Sequence, residues 1–355
     1  MVLPFAASLD VSYTGQHSYD TPMAVSINAI DFGAAFLPQY ADPTQATQTV
    51  ATSYVTTTQD LARFYRGYGT ISQQQTIGWR TYHSIQIALN RRFRNGLSFG
   101  FNDTIGLSDK QQPALRLQHN ADGTITTRSD QPQANDLLGN NYPQAHIMRA
   151  NWVWQLPRLT SSRPVLRAVG LVANDWSLSG IWSGTTSNPY TVGFNYQSGG
   201  GNVNLTGSPD YAARVRVVGD AGNGCSSDPY RQFNTAAFQG PAVGSVGLES
   251  GSGYARSCFA STVDLAIART IRLGGGRSIQ LRVDMFNAFN ESRITNRNST
   301  MTLLSPTNPV DIQNLPFDAS GTLIDARSRP RGAGFGVATG YQAPRTMQGQ
   351  IRFSF

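Results

Sequence analysis

Apolar and polar residues alternate with a period of two in segments of about ten residues, and helical periodicity is hard to find. In the final segment Met347, Gly349, Ile351, Phe353 and Phe355 fall on one face, with Thr346, Gln348, Gln350, Arg352 and Ser354 on the other. One face is apolar and the other can meet water. From 82 to 93, Ile85, Ile87 and Leu89 oppose Tyr82, Ser84, Gln86 and Asn90, and Asn95-Gly96 is a strong hairpin turn signal. The chain then continues as Leu97, Phe99 and Phe101 against Ser98, Gly100 and Asn102, which predicts a hairpin over 82 to 105.

A second hairpin is expected where Val263, Leu265 and Ile267 lead through Gly274-Gly275-Gly276 into Ile279, Leu281, Val283 and Met285. Here the polar face carries Gln280, Arg282 and Asp284. Arg269 falls on the apolar face and is expected near the turn end of its strand. Phe286 leaves the odd-numbered face, which predicts a bulge after Met285. Leu9, Val11 and Tyr13, then Met148 to Leu156, then Trp176 to Trp182 complete eight strands. Short connections at 94 to 96 and 274 to 276 alternate with long ones near 17 to 75, 107 to 144, 184 to 258 and 290 to 344, and 157 to 174 is intermediate.

Long structureless loops count against a compact soluble domain. They suit an all-β, antiparallel transmembrane barrel, which combines short periplasmic turns, long outer loops, an outward apolar band, aromatic girdles and a polar interior. Trp152, Trp154, Trp176, Trp182 and Phe353 are the girdle candidates. Gln280, Arg282, Asp284, Gln348, Gln350 and Arg352 are the lumen-facing candidates, with interstrand bonding and charge balance as their simplest role. A β-sandwich also explains the alternation, but not the short and long connections.

Composition narrows the choice. No apolar run is long enough for a membrane helix, and charged residues make up 14% of the chain against about 25% in ordinary domains. The formal charge is +7, yet the arginines are dispersed through alternating segments, which argues against nucleic-acid binding. Cys225 and Cys258 are the two cysteines. One disulfide is the natural reading, with two separate buried thiols as the alternative. His17, His83, His119 and His146 stand at unrelated spacings, so metal chemistry lacks ligands. No nucleophile elbow occurs, so neither an enzyme nor a cofactor is expected. The glycine clusters at 199 to 201, 274 to 276 and 332 to 336 are expected in turns with no helix following. Asp122-Gly123 predicts a small hairpin, and Asp42, Asp210 and Asp228 are expected as solvated loop carboxylates.

FNAFN at 286 to 290 after SIQLRVDM, QFNTAAF at 232 to 238, WSLSGIWSG at 176 to 184, YHSIQIALNRRF at 82 to 93, ANWVWQLP at 150 to 157 and the terminal RFSF together resemble the C-terminal barrel region of TonB-dependent receptors. More narrowly, they resemble the Oar-like group, which carries a carboxypeptidase-regulatory-like N-terminal domain. That resemblance implies a plugged 22-stranded outer-membrane barrel taking up a bulky ligand with energy from a TonB complex. The departure is that no plug, TonB-contacting segment or signal peptide is recognisable. Residues 1 to 355 are therefore expected to be a single barrel region, a C-terminal fragment holding the last eight strands, with closure as a small eight-stranded barrel the alternative.

In such barrels the last strand descends to the periplasm. That puts both tight turns there and the four long connections outside, with Cys225 and Cys258 in one external loop. Phe355 resembles the signal read by the barrel assembly machinery. Expected partners are outer-membrane lipid, that machinery, an unknown transported ligand and, only if a plug exists upstream, the TonB complex. The alternatives are a small closed barrel displaying its loops for surface binding or adhesion and, more weakly, a secreted glycan-binding sandwich.

Overall fold

The computed structural model describes residues 2–3, 6–40, 59–127, 145–160, 162–186 and 188–355. Asp42 and parts of the first two long connections lie outside the described residues. Eight long strands form one antiparallel sheet in chain order. They are β1 Ala7–Ser26, β2 Ser72–Arg94, β3 Leu97–Gln111, β4 His146–Gln155, β5 Trp176–Thr185, β6 Ala260–Gly274, β7 Arg277–Phe286 and β8 Thr346–Ser354. A two-residue strand, Val2–Leu3, folds back on Ser8 and Ala7.

All eight expected strands are present, and the first three run further than the sequence pattern shows. β1 has 20 residues and β2 has 23, whereas about 9 to 11 suffice to cross a bilayer. The extra length of β2 begins Ser72-Gln73-Gln74-Gln75, where both faces are polar and period two is invisible.

Register carries the alternation across the sheet. Met347 pairs with Met285, Met285 with Leu265, Leu265 with Gly180, Gly180 with Trp152 and Trp152 with Phe99. The next row is Gln348, Asp284, Ala266, Ser179, Val153 and Ser98. The strands therefore share one predominantly apolar face and one predominantly polar face.

The sheet is open. Among the described residues β8 pairs with β7 alone, and no strand joins it to β1. Closure as eight strands is thus not what this chain adopts.

Short connections lie at one end. Asn95 and Gly96 have φ of 52° and 79°, the left-handed pair that a two-residue hairpin turn requires. The intermediate connection holds an unforeseen helix, α1, Pro164–Ala173, with proline in its first turn. The expected bulge after Met285 is absent, since Met285 and Phe286 pair consecutively with Met347 and Thr346. The strand simply ends, because Asn287 turns the chain at φ 48°.

The four long connections, 27–71 (L1), 112–145 (L2), 186–259 (L3) and 287–345 (L4), gather at the other end. They are not structureless. Gly193–Tyr196 pairs in parallel with Thr300–Leu303, joining L3 to L4, and Ile294–Arg297 pairs with Ala338–Tyr341 within L4. Val192, Val215, Phe233, Phe238, Met301, Leu303 and Phe335 make a buried core there. The Gly199 to Gly201 cluster does lead into a helix, but one of five residues, Asn202–Thr206. Asp122-Gly123 makes the expected small hairpin, pairing Leu117–His119 with Ile125–Thr127.

Candidate functional site

Two surfaces gather the polar groups and clefts of the domain: the polar face of the sheet and the cap formed by L1 to L4. On the polar face Gln280 pairs with Arg352, Arg282 with Gln350 and Asp284 with Gln348, so all six expected residues share that face. The Arg282 guanidinium donates to Asp284 through Nη2 at 2.7 Å and Nε at 2.9 Å. This pairing balances charge on the wall while leaving amides and Arg352 beside it. A concavity of about 370 Å³ lies over Asn151, Val153, Ser179, Ile181, Arg282 and Asp284. Its lining is mostly apolar, with Val153, Ile181, Ala266 and Phe286 beside the neutralised ion pair and the Asn151 and Ser179 side chains.

The aromatic candidates all project from the apolar face. Trp154, Trp176 and Phe353 stand within a residue of the turn-end termini of β4, β5 and β8. Trp182 is near the cap end of β5, and Trp152 lies between these levels. Gly180 and Gly184 provide room for the indoles of Trp152 and Trp182. Phe355 follows β8 and is 96% exposed. Arg269 is at the turn end, as expected, where its guanidinium donates to the carbonyls of Leu171 and Asn174.

The cap is held by polar contacts that sequence reasoning missed. Arg63 of L1 is 7% exposed and donates to Asp210 of L3 at 2.9 Å. Asp210 also accepts from the Ile30 amide, so it is not the solvated carboxylate expected. Burial works to lower the Arg63 pKa, but hydrogen bonds and attraction from Asp60 and Asp210 raise it overall. Arg116 of L2 donates to the carbonyls of Val246 and Gly247 in L3, and its guanidinium lies over Phe32 of L1. Asp228 accepts from the Tyr230 amide. No spacing rule could have paired Arg63 with Asp210 or Arg116 with Val246, more than a hundred residues apart.

Cys225 and Cys258 are bonded, with Cα atoms 5.0 Å apart, and tie the middle of L3 to its C-terminal end. Beside the bond, a cleft of about 660 Å³ is lined by Asp220, Asn223, Ser226, Arg231 and Phe317 among others. Arg231 stacks over Phe317 at 4.2 Å, bringing L4 against L3.

FNAFN proves to be a corner. The Asn287 amide donates to Asp264, and its side chain donates to the carbonyls of Glu291 and Ala343. Asn290 accepts from the Arg345 amide. These bonds tie the two ends of L4 to each other and to β6.

The alternating wall, the tight turns at one end and the folded loops at the other agree with comparison at the family level. The model of the outer membrane beta barrel domain family matches residues 2–348. The chain belongs to that family. This outer membrane beta-barrel domain accordingly resides in the outer membrane. Comparison with curated proteins finds no match.

Proposed function

We propose that this domain is part of the wall and cap of a TonB-dependent receptor of the Oar-like type, moving a bulky ligand across the outer membrane. The observation that carries the reading is the open sheet. Eight strands would suffice for a small barrel, yet β8 and β1 do not meet. Unpaired strand edges are untenable in lipid, so further strands complete a wider wall in this reading. A lumen wider than eight strands allow is what a bulky solute needs.

The apolar face then meets lipid, with Trp152, Trp154, Trp176, Trp182 and Phe353 in the girdles. Gln280, Arg282, Asp284, Gln348, Gln350 and Arg352 line the lumen, and the cap meets the ligand outside. The protein is a carrier rather than an enzyme, and needs no cofactor. Its partners are outer-membrane lipid, the barrel assembly machinery reading Phe355, and a TonB complex acting through a plug. Nucleic acid is not among them.

The test compares depletion of medium components by cells that carry the protein, lack it, or lack a working TonB complex. Depletion should disappear in both deficient strains. Uptake that persists without TonB would overturn the energised mechanism, and surface binding without uptake would favour the display of loops for adhesion. Spin labels at Arg282→Cys and Arg352→Cys should report water; lipid contact would reverse the assignment of faces.

A further inference from the structure

Helix α1 has an unusual exposure. Val165, Val169 and Val172, at i, i+4 and i+7, are 75%, 46% and 66% exposed, and Leu171 is 75% exposed. A stripe at this spacing normally seeks an apolar partner. The Trp176 indole donates to the Val172 carbonyl at 2.7 Å, and Arg269 donates to the Leu171 carbonyl. Trp176 and Arg269 pair with each other on the apolar face of the sheet. The C-terminal end of α1 is therefore anchored on that face, at the turn end, continuous with the surface assigned above to lipid.

A cleft of about 430 Å³ separates α1 from the end of β6, with Leu159, Leu171 and Ile271 as its apolar walls and Thr160, Asn174, Asp175, Arg269 and Arg272 as its polar ones. Arg272 has 65% of its side chain exposed and lies 3.9 Å from Asp175, which is also bound by Arg158. Two arginines thus pair with one carboxylate, and Arg269 stands beside them bonded to carbonyls, leaving the cluster positive. Positive charge beside an apolar helix face is the pattern of a segment lying in the headgroup region of a membrane.

We infer that α1 lies in the periplasmic leaflet of the outer membrane and that its cleft takes the headgroup of an anionic phospholipid. The valine stripe enters the acyl region while Arg269 and Arg272 face the lipid phosphate. Arg269 holds the helix end in place through its carbonyl bonds, and Arg272 is the freer contact. Anchored in this way, the helix steadies the connection between β4 and β5 without touching the lumen. The inference rests on the outward placement of the apolar face but not on transport.

The test uses the full protein in vesicles of phosphatidylethanolamine with and without phosphatidylglycerol. Nitroxide labels at Val165→Cys and Val172→Cys are compared with a wall control, Leu178→Cys. Collision with oxygen should exceed collision with a water-soluble nickel chelate several-fold at all three sites. Phosphatidylglycerol should deepen the labels at 165 and 172, and Arg272→Gln should abolish that response without altering 178. Heat-shifted electrophoretic mobility identifies the folded variants. Nickel-dominated collision at 165 and 172, with 178 in lipid, would put α1 in water and overturn the inference while sparing the wall. Protection from both reagents would mean a protein cover and overturn it as well. Indifference to phosphatidylglycerol would overturn the headgroup assignment, and a nickel-accessible 178 would instead refute the placement of the faces.

Discussion

Gly180 lies directly beneath the indole of Trp152, so that a Cβ added at 180 would stand 2.2 Å from Trp152 Cζ2. The two residues are register partners on β5 and β4. A glycine in a strand interior ordinarily weakens it, but here it lets a large ring lie flat across its neighbour. Gly180→Ala should cost about 1–3 kcal/mol through overpacking. The urea midpoint of the folded, heat-modifiable band checks this, and Gly180→Ala in a Trp152→Ala background should cost clearly less than it does alone. Equal costs in both backgrounds would show that the ring does not limit the site.

Asp210 of L3 holds two points of L1 through one carboxylate. It pairs with buried Arg63 and accepts from the Ile30 amide, so Asp210→Asn leaves a buried guanidinium without its countercharge on that side. Breaking a buried pair in this way costs about 3–5 kcal/mol. The loss should be local, because the wall strands do not share the contact. Hydrogen exchange should accelerate over 27–36 and 63–69 while β5 to β7 stay protected. Unchanged exchange in L1 would mean that the ion pair is dispensable to the cap.

The disulfide restrains L3 in the same confined sense. In the chain-entropy model, a bond between Cys225 and Cys258 stabilises the loop by about 3 to 4 kcal/mol. Replacing both by serine should leave the barrel's electrophoretic mobility intact but expose L3 to proteases. Cutting between 218 and 258 in the variant, with none in the parent, is the expected pattern.

These contrasts mark what the sequence discloses. The wall was legible because each strand meets two different media, which writes period two into the residues. Gln280, Arg282 and Asp284 could be assigned to one face from spacing alone. The cap was not legible, because its ladders are two to four residues long and its core draws Val192, Phe233, Met301 and Phe335 from segments far apart. The wall also needs no protein core of its own if lipid covers one face. The most deeply buried side chains, including Phe238, Phe335, Leu205 and Met301, therefore lie in the long connections, where apolar surface must hide from water. α1 escaped notice for a different reason. PVLRAVGLVA is rich in β-branched valine and stands between two strands, so ten apolar-rich residues read as an ordinary connection.

The burial of the cap core also fixes its response to alkali. Burial raises the phenol pKa of Tyr190, Tyr196, Tyr211 and Tyr254, all in L3, and pushes Tyr190 up to about 12. For Tyr190 the nearby Arg297 cation opposes the rise, and burial prevails. An unfolded tyrosine ionises at about 10, so between pH 10 and 12 the folded cap binds more protons than the unfolded one. Stability is then complete below about pH 10 and falls as pH rises toward the folded values. The wall has no equivalent set of buried phenols in its polar rows, so the cap should open first. Phenolate absorbance should rise cooperatively within that window, together with exchange in 189–254, while the heat-modifiable barrel band persists. Non-cooperative titration of these tyrosines near 10 would show that the cap core admits water, and loss of the barrel band at the same pH would show that the wall and cap unfold as one.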